Sequence, residues 1–275
     1  MIRIPEVVVE RVVAAVGHGE GLADLAEAAA ARAAAGRGAI GAVVAATFSN
    51  PVRFPSLAVR VASALGLPAS TPAFDMQMAC SAYPYALYAA GRLAADTGRR
   101  VLVIDGDVQT PLVDASDHAT GAIFSDAATA TVVSSSAASS ATSPFAFLSR
   151  HEGSALSCPA AGPIRMDGFA VFSFVAEEVS AFLKRVLADA GASPDMFAPH
   201  QANPYMVRQL ARSLELSDRL LAIDESLKNP GSCSVAMALA AGARPGSALV
   251  AGFGAGYSAA AGIVRIPEDF EGSVS

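Results

Sequence analysis

Short β-branched runs alternate with alanine-rich helical stretches along the whole chain, and they do so in two successive rounds. In the first round Leu22 to Ala35 reads as a helix by propensity, Ile40 to Phe48 as a buried strand and Ser56 to Leu65 as a second helix. A strand over 73–79, a helix over 81–97 and a strand from Arg100 to Asp105 follow, and Thr129 to Ser134 adds a further β-rich run. Such alternation specifies a mainly parallel sheet with helices on its faces. The second round opens with Phe145 to Leu148. Phe172, Val175, Val179, Phe182 and Val186 then form the apolar stripe of a long helix. The strand Met196 to Pro199, the helix Pro204 to Leu214 and the small-residue helix Ser232 to Ala241 come next. Two strands, Ala248 to Phe253 and Ala259 to Ile266, close the round. Between the rounds lies the low-complexity segment Ser134 to Ser143, SSSAASSATS, which divides the chain into halves 1–143 and 144–275. The first residues are harder to place: Val7 to Val13 is β-branched, but Glu10 and Arg11 interrupt it.

The 275 residues are 53% hydrophobic and 16% charged, a balance that demands a large buried core and excludes a disordered chain. Each apolar run is broken by Gly, Ser, Asp or Arg before it reaches the length of a membrane span. MIRIPEVVVERVV lacks the basic-then-apolar order of a secretory signal, so a cytoplasmic protein is expected. A formal net charge of −6 argues against a nucleic-acid binder. Three scattered cysteines, Cys80, Cys158 and Cys233, form neither a disulfide framework nor a metal site.

The chemistry gathers at the ends of apolar runs. In FDMQMACSAYPYALYAAGRL, Phe74 to Leu93, a strand changes into a helix at Cys80–Ser81, and Tyr85, Tyr88, Ala89 and Leu93 mark one helical stripe. Free backbone N–H groups and the positive end of the helix dipole at that point favour a thiolate. His200 follows FAP and opens HQAN, where a strand ends. Asn229 opens NPGSCSVAMALA, just before a helix. Each residue alone has a structural reading: a packed thiol, a core histidine, a turn asparagine. In a duplicated α/β fold, strand ends of this kind converge on one crevice.

FDMQMACSAYPYAL, VLVIDGDV, DASDHATGAIFSDAATATVV, HQAN, NPGSCSVAMALA and GFGAGYSAAAGIVR stand in the order of the signatures of β-ketoacyl-ACP synthase III. From about residue 22 to 266 the chain resembles that family. The resemblance implies an α/β, thiolase-like fold of two internally duplicated βαβαβαββ halves in five layers, working as a homodimer. It implies a Cys80–His200–Asn229 triad in which Cys80 becomes a covalent acyl-enzyme. His200 and Asn229 then steady the enolate as a malonyl-type thioester loses carbon dioxide. The N–H groups of Cys80 and Ala255 would form the oxyanion hole. Phe54 matches a residue that closes the partner's acyl pocket; Ile123 and Phe124 match pocket positions; Met166, Gly168 and Phe172 match the pantetheine tunnel. Asn203, in HQAN, and Phe253, in GFGAGY, complete the substrate-binding set. The substrates implied are an acyl primer on acyl carrier protein (ACP) or CoA, and malonyl-ACP. No permanently bound cofactor, metal, nucleic acid or membrane is expected.

Some positions depart from the family. Tryptophan is absent, and His118 stands where an arginine helps to sandwich the adenine of CoA. Tyr205 replaces a carrier-docking arginine, a role left to Arg208 and Arg212, which share a helix face. The N-terminus is shorter by about one strand and one loop, and the loop between Arg150 and Pro163 is reduced. These departures favour a primer delivered on a carrier protein. Rival readings are acyl transfer from Cys80 to a hydroxyl or amine without decarboxylation, a non-catalytic partner subunit, and a cysteine hydrolase.

Overall fold

The computed structural model describes residues 1–114, 116–117, 120–150 and 155–275. After β1 (Ile2–Pro5), the first half contributes β2 (Val8–Val16), β3 (Ile40–Ala46), β4 (Ala73–Met76), β5 (Arg100–Asp107) and β6 (Ala127–Ser134). They lie side by side in the order β4-β3-β5-β6-β2, with β6 antiparallel to both its neighbours. The second half contributes β7 (Thr142–Ser149), the small hairpin of β8 (Leu156–Ser157) and β9 (Arg165–Met166), β10 (Met196–Pro199), β11 (Gly246–Gly254) and β12 (Ser258–Ile266). Its sheet runs β10-β11-β12-β7, with β12 antiparallel to its neighbours. A single parallel bridge, Phe197 to Leu220, stands where the first half has its edge strand β4. Counted by order of appearance, both sheets therefore follow one plan, third-second-fourth-fifth-first.

Among the described residues, seven α-helices complete five layers. α1 (Leu22–Ala34) and α2 (Leu57–Ala64) cover the outer face of the first sheet. α3 (Ala82–Thr97) and α7 (Ser234–Gly242) lie between the two sheets. α4 (Gly168–Phe174) continues through a π-helical segment, Val175–Val179, into α5 (Ser180–Ala190), and with α6 (Pro204–Ser213) it covers the second sheet. The strands alternate accordingly. On β5, Val101 and Val103 face the middle layer while Leu102 and Ile104 face α1 and α2. On β11, Ala248 and Val250 face inward while Leu249, Ala251 and Phe253 face outward. Both faces of each sheet are buried, which is why the strand runs read as nearly continuous apolar stretches. The middle helices carry Ala82, Ala86, Ala90 and Ala94 on α3 and Ala236, Ala238 and Ala240 on α7. Small side chains let a helix be buried on both sides between two sheets.

The termini correct the expectation for the first residues. β2 runs through Glu10 and Arg11 with a bulge between Val9 and Arg11. Glu10 is satisfied by Arg100 at 2.6 Å, and Arg11 donates to the Ala33 and Ala35 carbonyls at the end of α1. A bulge re-aims a polar residue without ending the strand. β1 pairs with β7, and β13 (Glu271–Val274) pairs with β2, so each half's first strand carries one end of the chain. Over 73–79, the strand stops at Met76. The remaining residues lead into the turn that holds Cys80.

Candidate active site

Ala79 takes a positive φ of 43°, a conformation that costs a non-glycine residue about 1–2 kcal/mol. It turns the chain sharply from β4 into a single 3₁₀ turn, Ala79–Ser81, and then into α3. Cys80 sits on that turn, 6% exposed. The end of β11 packs directly against it: a Cβ on Gly252 would come within 2.8 Å of Ser81 Cα, and one on Gly254 within 3.0 Å of Cys80 Cβ. The Ser81 and Ser258 hydroxyls lie 2.8 Å apart, and Ser258 Oγ donates to the Ala255 carbonyl at 2.8 Å. Ala255 is thereby fixed beside Cys80.

His200 ends β10, its N–H donating to the Ala251 carbonyl at 2.7 Å. Its ring stands edge-on to Phe253, and its Nδ1 lies 2.7 Å from Ser234 Oγ at the start of α7. Among the described residues Nε2 has no hydrogen-bond partner. Asn229 is pinned at three points. Its N–H donates to the Ile123 carbonyl, its own carbonyl accepts from Ser125 N–H and from Gln109 Nε2, and its Oδ1 accepts from Gly231 N–H at 3.0 Å. With Oδ1 engaged, the free end of the amide is Nδ2, a donor. Asp107 braces the surroundings: Oδ1 accepts from Thr47, Phe48 and Ser49 after β3, and Oδ2 from the backbone and hydroxyl of Ser232 before α7. One carboxylate thus ties the two halves together beneath the site.

Two cavities meet at Cys80. One, of about 150 Å³, is lined by Cys80, His200, Asn229, Asn203, Phe253 and Gly254, and also by Ile123, Phe124, Met166 and Gly168. Leu156, Val171, Ala202 and Met206 complete its wall. The other, of about 180 Å³, contains Cys80, Ala255 and Phe124 with Phe48, Gln77, Gln109, Cys158 and Ile164. A larger cleft, about 580 Å³, lies elsewhere among Glu6, Glu10, Arg99, Arg100 and Arg265, and it contains neither cysteine nor histidine.

The structure brings together most of the residues named from sequence. Cys80, His200 and Asn229 share a cavity, and Ile123, Phe124, Met166, Gly168, Asn203 and Phe253 line it. Asn203 also caps α6, its Oδ1 accepting from Met206 N–H at 2.8 Å. Phe172 does not line that cavity; it stacks on Tyr205 in a neighbouring groove between α4 and α6. Phe54 is 85% exposed, away from both cavities of this chain. Arg208 and Arg212 are exposed on α6, Arg208 in an ion pair with Glu225 at 2.9 Å. His118 lies outside the described residues. Sequence reasoning missed Ser234, Gln109 and Asp107. Each sits inside or next to a quoted motif, but no local pattern tells which remote backbone atom it meets.

The enclosure of Cys80 works against the thiolate that its helix-start position favours. Burial, with the Asp107 and Asp105 carboxyls adding to it, pushes the Cys80 thiol up to about 12. A bias of that size toward the neutral form is worth about 4 kcal/mol. A helix terminus contributes about 0.3–1 kcal/mol the other way. Burial likewise pushes His200 down to about 4, so the resting pair is a neutral thiol and a neutral imidazole. Such a pair reacts only if the imidazole takes the thiol proton as sulfur attacks.

Residues 74–150 match the family model described as 3-oxoacyl-[acyl-carrier-protein (ACP)] synthase III, and residues 190–266 match the model of its C-terminal part. The chain is 33% identical over 252 residues to a mycobacterial β-ketoacyl-[acyl-carrier-protein] synthase III of Mycobacterium avium, covering 83% of this chain and 75% of the relative. Among solved structures, 3-oxoacyl-(acyl carrier protein) synthase III of Pseudomonas aeruginosa PAO1 superposes with a TM-score of 0.84 at 31% identity, over 92% of this chain and 85% of the other. A 3-oxoacyl-(acyl-carrier protein) synthase of Burkholderia xenovorans LB400 shares the fold at a TM-score of 0.91 and 22% identity, over 100% and 98% of the two chains.

Proposed function

Because the chain belongs to the 3-oxoacyl-[acyl-carrier-protein] synthase III family, we propose that it runs both halves of a decarboxylative Claisen condensation on the residues around Cys80. In the first half, Cys80 Sγ attacks the carbonyl of an acyl thioester while His200 Nε2 takes the thiol proton. The oxyanion sits against the N–H groups of Cys80 and Ala255. The carrier's thiol leaves with the proton held by His200, and the acyl group stays on Cys80 as a thioester.

In the second half, the thioester carbonyl of a malonyl unit lies between His200 Nε2–H and Asn229 Nδ2–H. The C–C bond to the carboxylate breaks, carbon dioxide leaves, and the electron pair forms an enolate held by these two donors. Its carbon attacks the acyl group, and Cys80 departs and regains a proton. The Ser234 hydroxyl serves both halves: it accepts a hydrogen bond from Nδ1–H when Nε2 presents a lone pair, and donates one to Nδ1 when Nε2 carries the N–H. This is acyltransferase chemistry within fatty-acid or polyketide-type biosynthesis. The observation that carries it is the engagement of His200 Nδ1 and Asn229 Oδ1, which leaves His200 Nε2 and Asn229 Nδ2 as the free polar atoms of two residues lining the cavity of Cys80.

Acyl carrier protein is the partner of this chemistry, and Arg208 and Arg212 are its docking residues. Arg212 has no partner among the described residues and so is available to an acidic surface. Two copies pair through the edge of β4, where Phe74, Val59 and the loop carrying Phe54 are exposed; a solution mass of twice the chain's 27.7 kDa checks this. Among the described residues no helix is long and apolar enough to cross a membrane, and we place the enzyme in the cytoplasm. The deciding experiment follows intact mass after incubation with labelled acyl-ACP or acyl-CoA. We expect one acyl mass on the protein and none on Cys80→Ala. Loading is faster from ACP until Arg208→Glu with Arg212→Glu removes the advantage, and the acyl mass is lost when malonyl-ACP is added. An acyl mass on Cys80→Ala, or one that malonyl-ACP never discharges, sinks the reading.

A further inference from the structure

The second cavity, on the Ala255 side of Cys80, has no histidine or asparagine to activate an extender, so it is the chamber left for the acyl chain on Cys80. Phe48, Phe124, Leu156 and Ile164 give it apolar walls. Gln109 breaks that pattern. It is 1% exposed, and both hydrogens of its amide are committed: Nε2 donates to the Ser125 carbonyl at 2.9 Å and the Asn229 carbonyl at 3.1 Å. Those two carbonyls fix the amide's orientation, because the reverse would set Oε1 against two acceptors. Among the described residues nothing donates to Oε1. Nor is Oε1 one of the enclosed atoms left without a partner, which are Arg11 Nε, both Asp105 oxygens and Ser135 Oγ. Oε1 is therefore an unclaimed acceptor that is not sealed off, on a residue that lines this cavity. Gln77, whose amide has no partner among the described residues, lines the same chamber.

We infer that this chamber selects a short primer carrying a hydrogen-bond donor, a hydroxyl or N–H on the acyl chain, rather than a plain alkyl primer. The inference rests on the condensing reaction proposed above. An alkyl chain strips water from Gln109 Oε1 and returns no donor, and a buried acceptor left unmade is costly. A site built to bond a substrate hydroxyl discriminates strongly against the analogue that lacks it. The cavity's 180 Å³ lies below the range usual for drug-sized ligands, so the chain is short.

The test loads the native protein with butyryl, 3-hydroxybutyryl and 4-hydroxybutyryl groups on the same carrier protein and follows the acyl mass on Cys80. In each case the new bond is Cys80 Sγ to the acyl carbonyl and the carrier thiol is released. We expect one of the two hydroxyacyl groups to load about tenfold or more faster than butyryl. In Gln109→Met, which loses the acceptor together with the bonds to the Ser125 and Asn229 carbonyls, the ratio read within that variant collapses toward unity, whatever its absolute loading rate. Butyryl loading as fast as both hydroxyacyl groups on the native protein overturns the inference and leaves the condensing function standing. So does a hydroxyacyl preference that survives Gln109→Met. If none of the three groups reaches Cys80, the proposed function falls and this inference falls with it. The native ratio decides the matter even if Gln109→Met fails to fold.

Discussion

On one side of Cys80, the cavity is walled mainly by apolar side chains, and the two polar groups set into it, His200 and Asn229, are tied down through the atoms turned away from it. His200 leans on Ser234, Asn229 on Gly231, Ile123 and Gln109, and Asp107 holds the loops beneath. On the other side, the primer chamber is mostly apolar wall, with two glutamines set into it. The first side has to stabilise charge that exists only for a moment, and fixed donors do this without reorganising. In the proposed function the second excludes water and measures a chain, by shape and by the acceptors of its two glutamines. Cys80 belongs to both, buried enough to stay neutral until a proton acceptor is beside it.

The sharpest way to separate the two sides is to remove donors from the first. Asn229→Ala is expected to lower condensation about 10²–10³-fold while acyl loading falls less than about tenfold. His200→Ala is expected to damage both steps, because a neutral thiol needs the imidazole as base before the enolate needs it as donor. Single-turnover mass spectrometry of loading and of discharge by malonyl-ACP measures the two separately. Equal losses in both steps for Asn229→Ala would break the division of labour.

A second test uses pH. With Cys80 pushed up to about 12 and His200 down to about 4, the neutral pair persists throughout the physiological range. Loading by the native protein is therefore expected to be flat from about pH 6 to 9. In His200→Ala it should climb up to about tenfold per pH unit, because only the rare thiolate then attacks. A native profile rising with a midpoint near an ordinary thiol would restore the thiolate that the helix terminus alone suggests.

The smallest expected effect concerns two neighbouring carboxyls on β5. Asp107 has five donors; Asp105, equally buried, has no hydrogen-bond partner for either oxygen. Burial raises both, Asp105 well above the usual carboxylate range. The folded protein then holds a proton that the unfolded chain has released, so this contribution to stability is present at low pH and is lost as pH rises from about 4 through the folded value. His200 acts in the opposite sense and only below about pH 6.5, so it is complete by pH 7. As pH rises from about 4 toward that folded value, this contribution makes native thermal stability fall, and Asp105→Asn should flatten that part of the slope and raise Tm at its upper end by roughly 2–4 °C. Melting curves from pH 5 to 8 check this; parallel slopes for the two proteins would show that Asp105 is not the source.

By itself the sequence determined the alternation of strand and helix in two rounds, because period and propensity are local. It also determined the order of Cys80, His200 and Asn229 at the ends of apolar runs. The positions of β3, β5, β10, β11 and β12 could be read within a few residues for the same reason. Tertiary structure alone decided the pairings of β1 with β7 and of β13 with β2, since hydrogen-bond register between distant segments leaves no local mark. It alone decided that β2 continues past Glu10, because a bulge and the remote Arg100 satisfy that carboxylate. The protonation state of Cys80 belongs with these. A helix start argues for a thiolate from neighbouring residues, and enclosure by β11 and the Asp107 carboxyl argues more strongly against it. Burial and charge act through space, so the groups that set the chemistry of Cys80, Asn229 and Gln109 come from segments that meet only when the two halves close on each other.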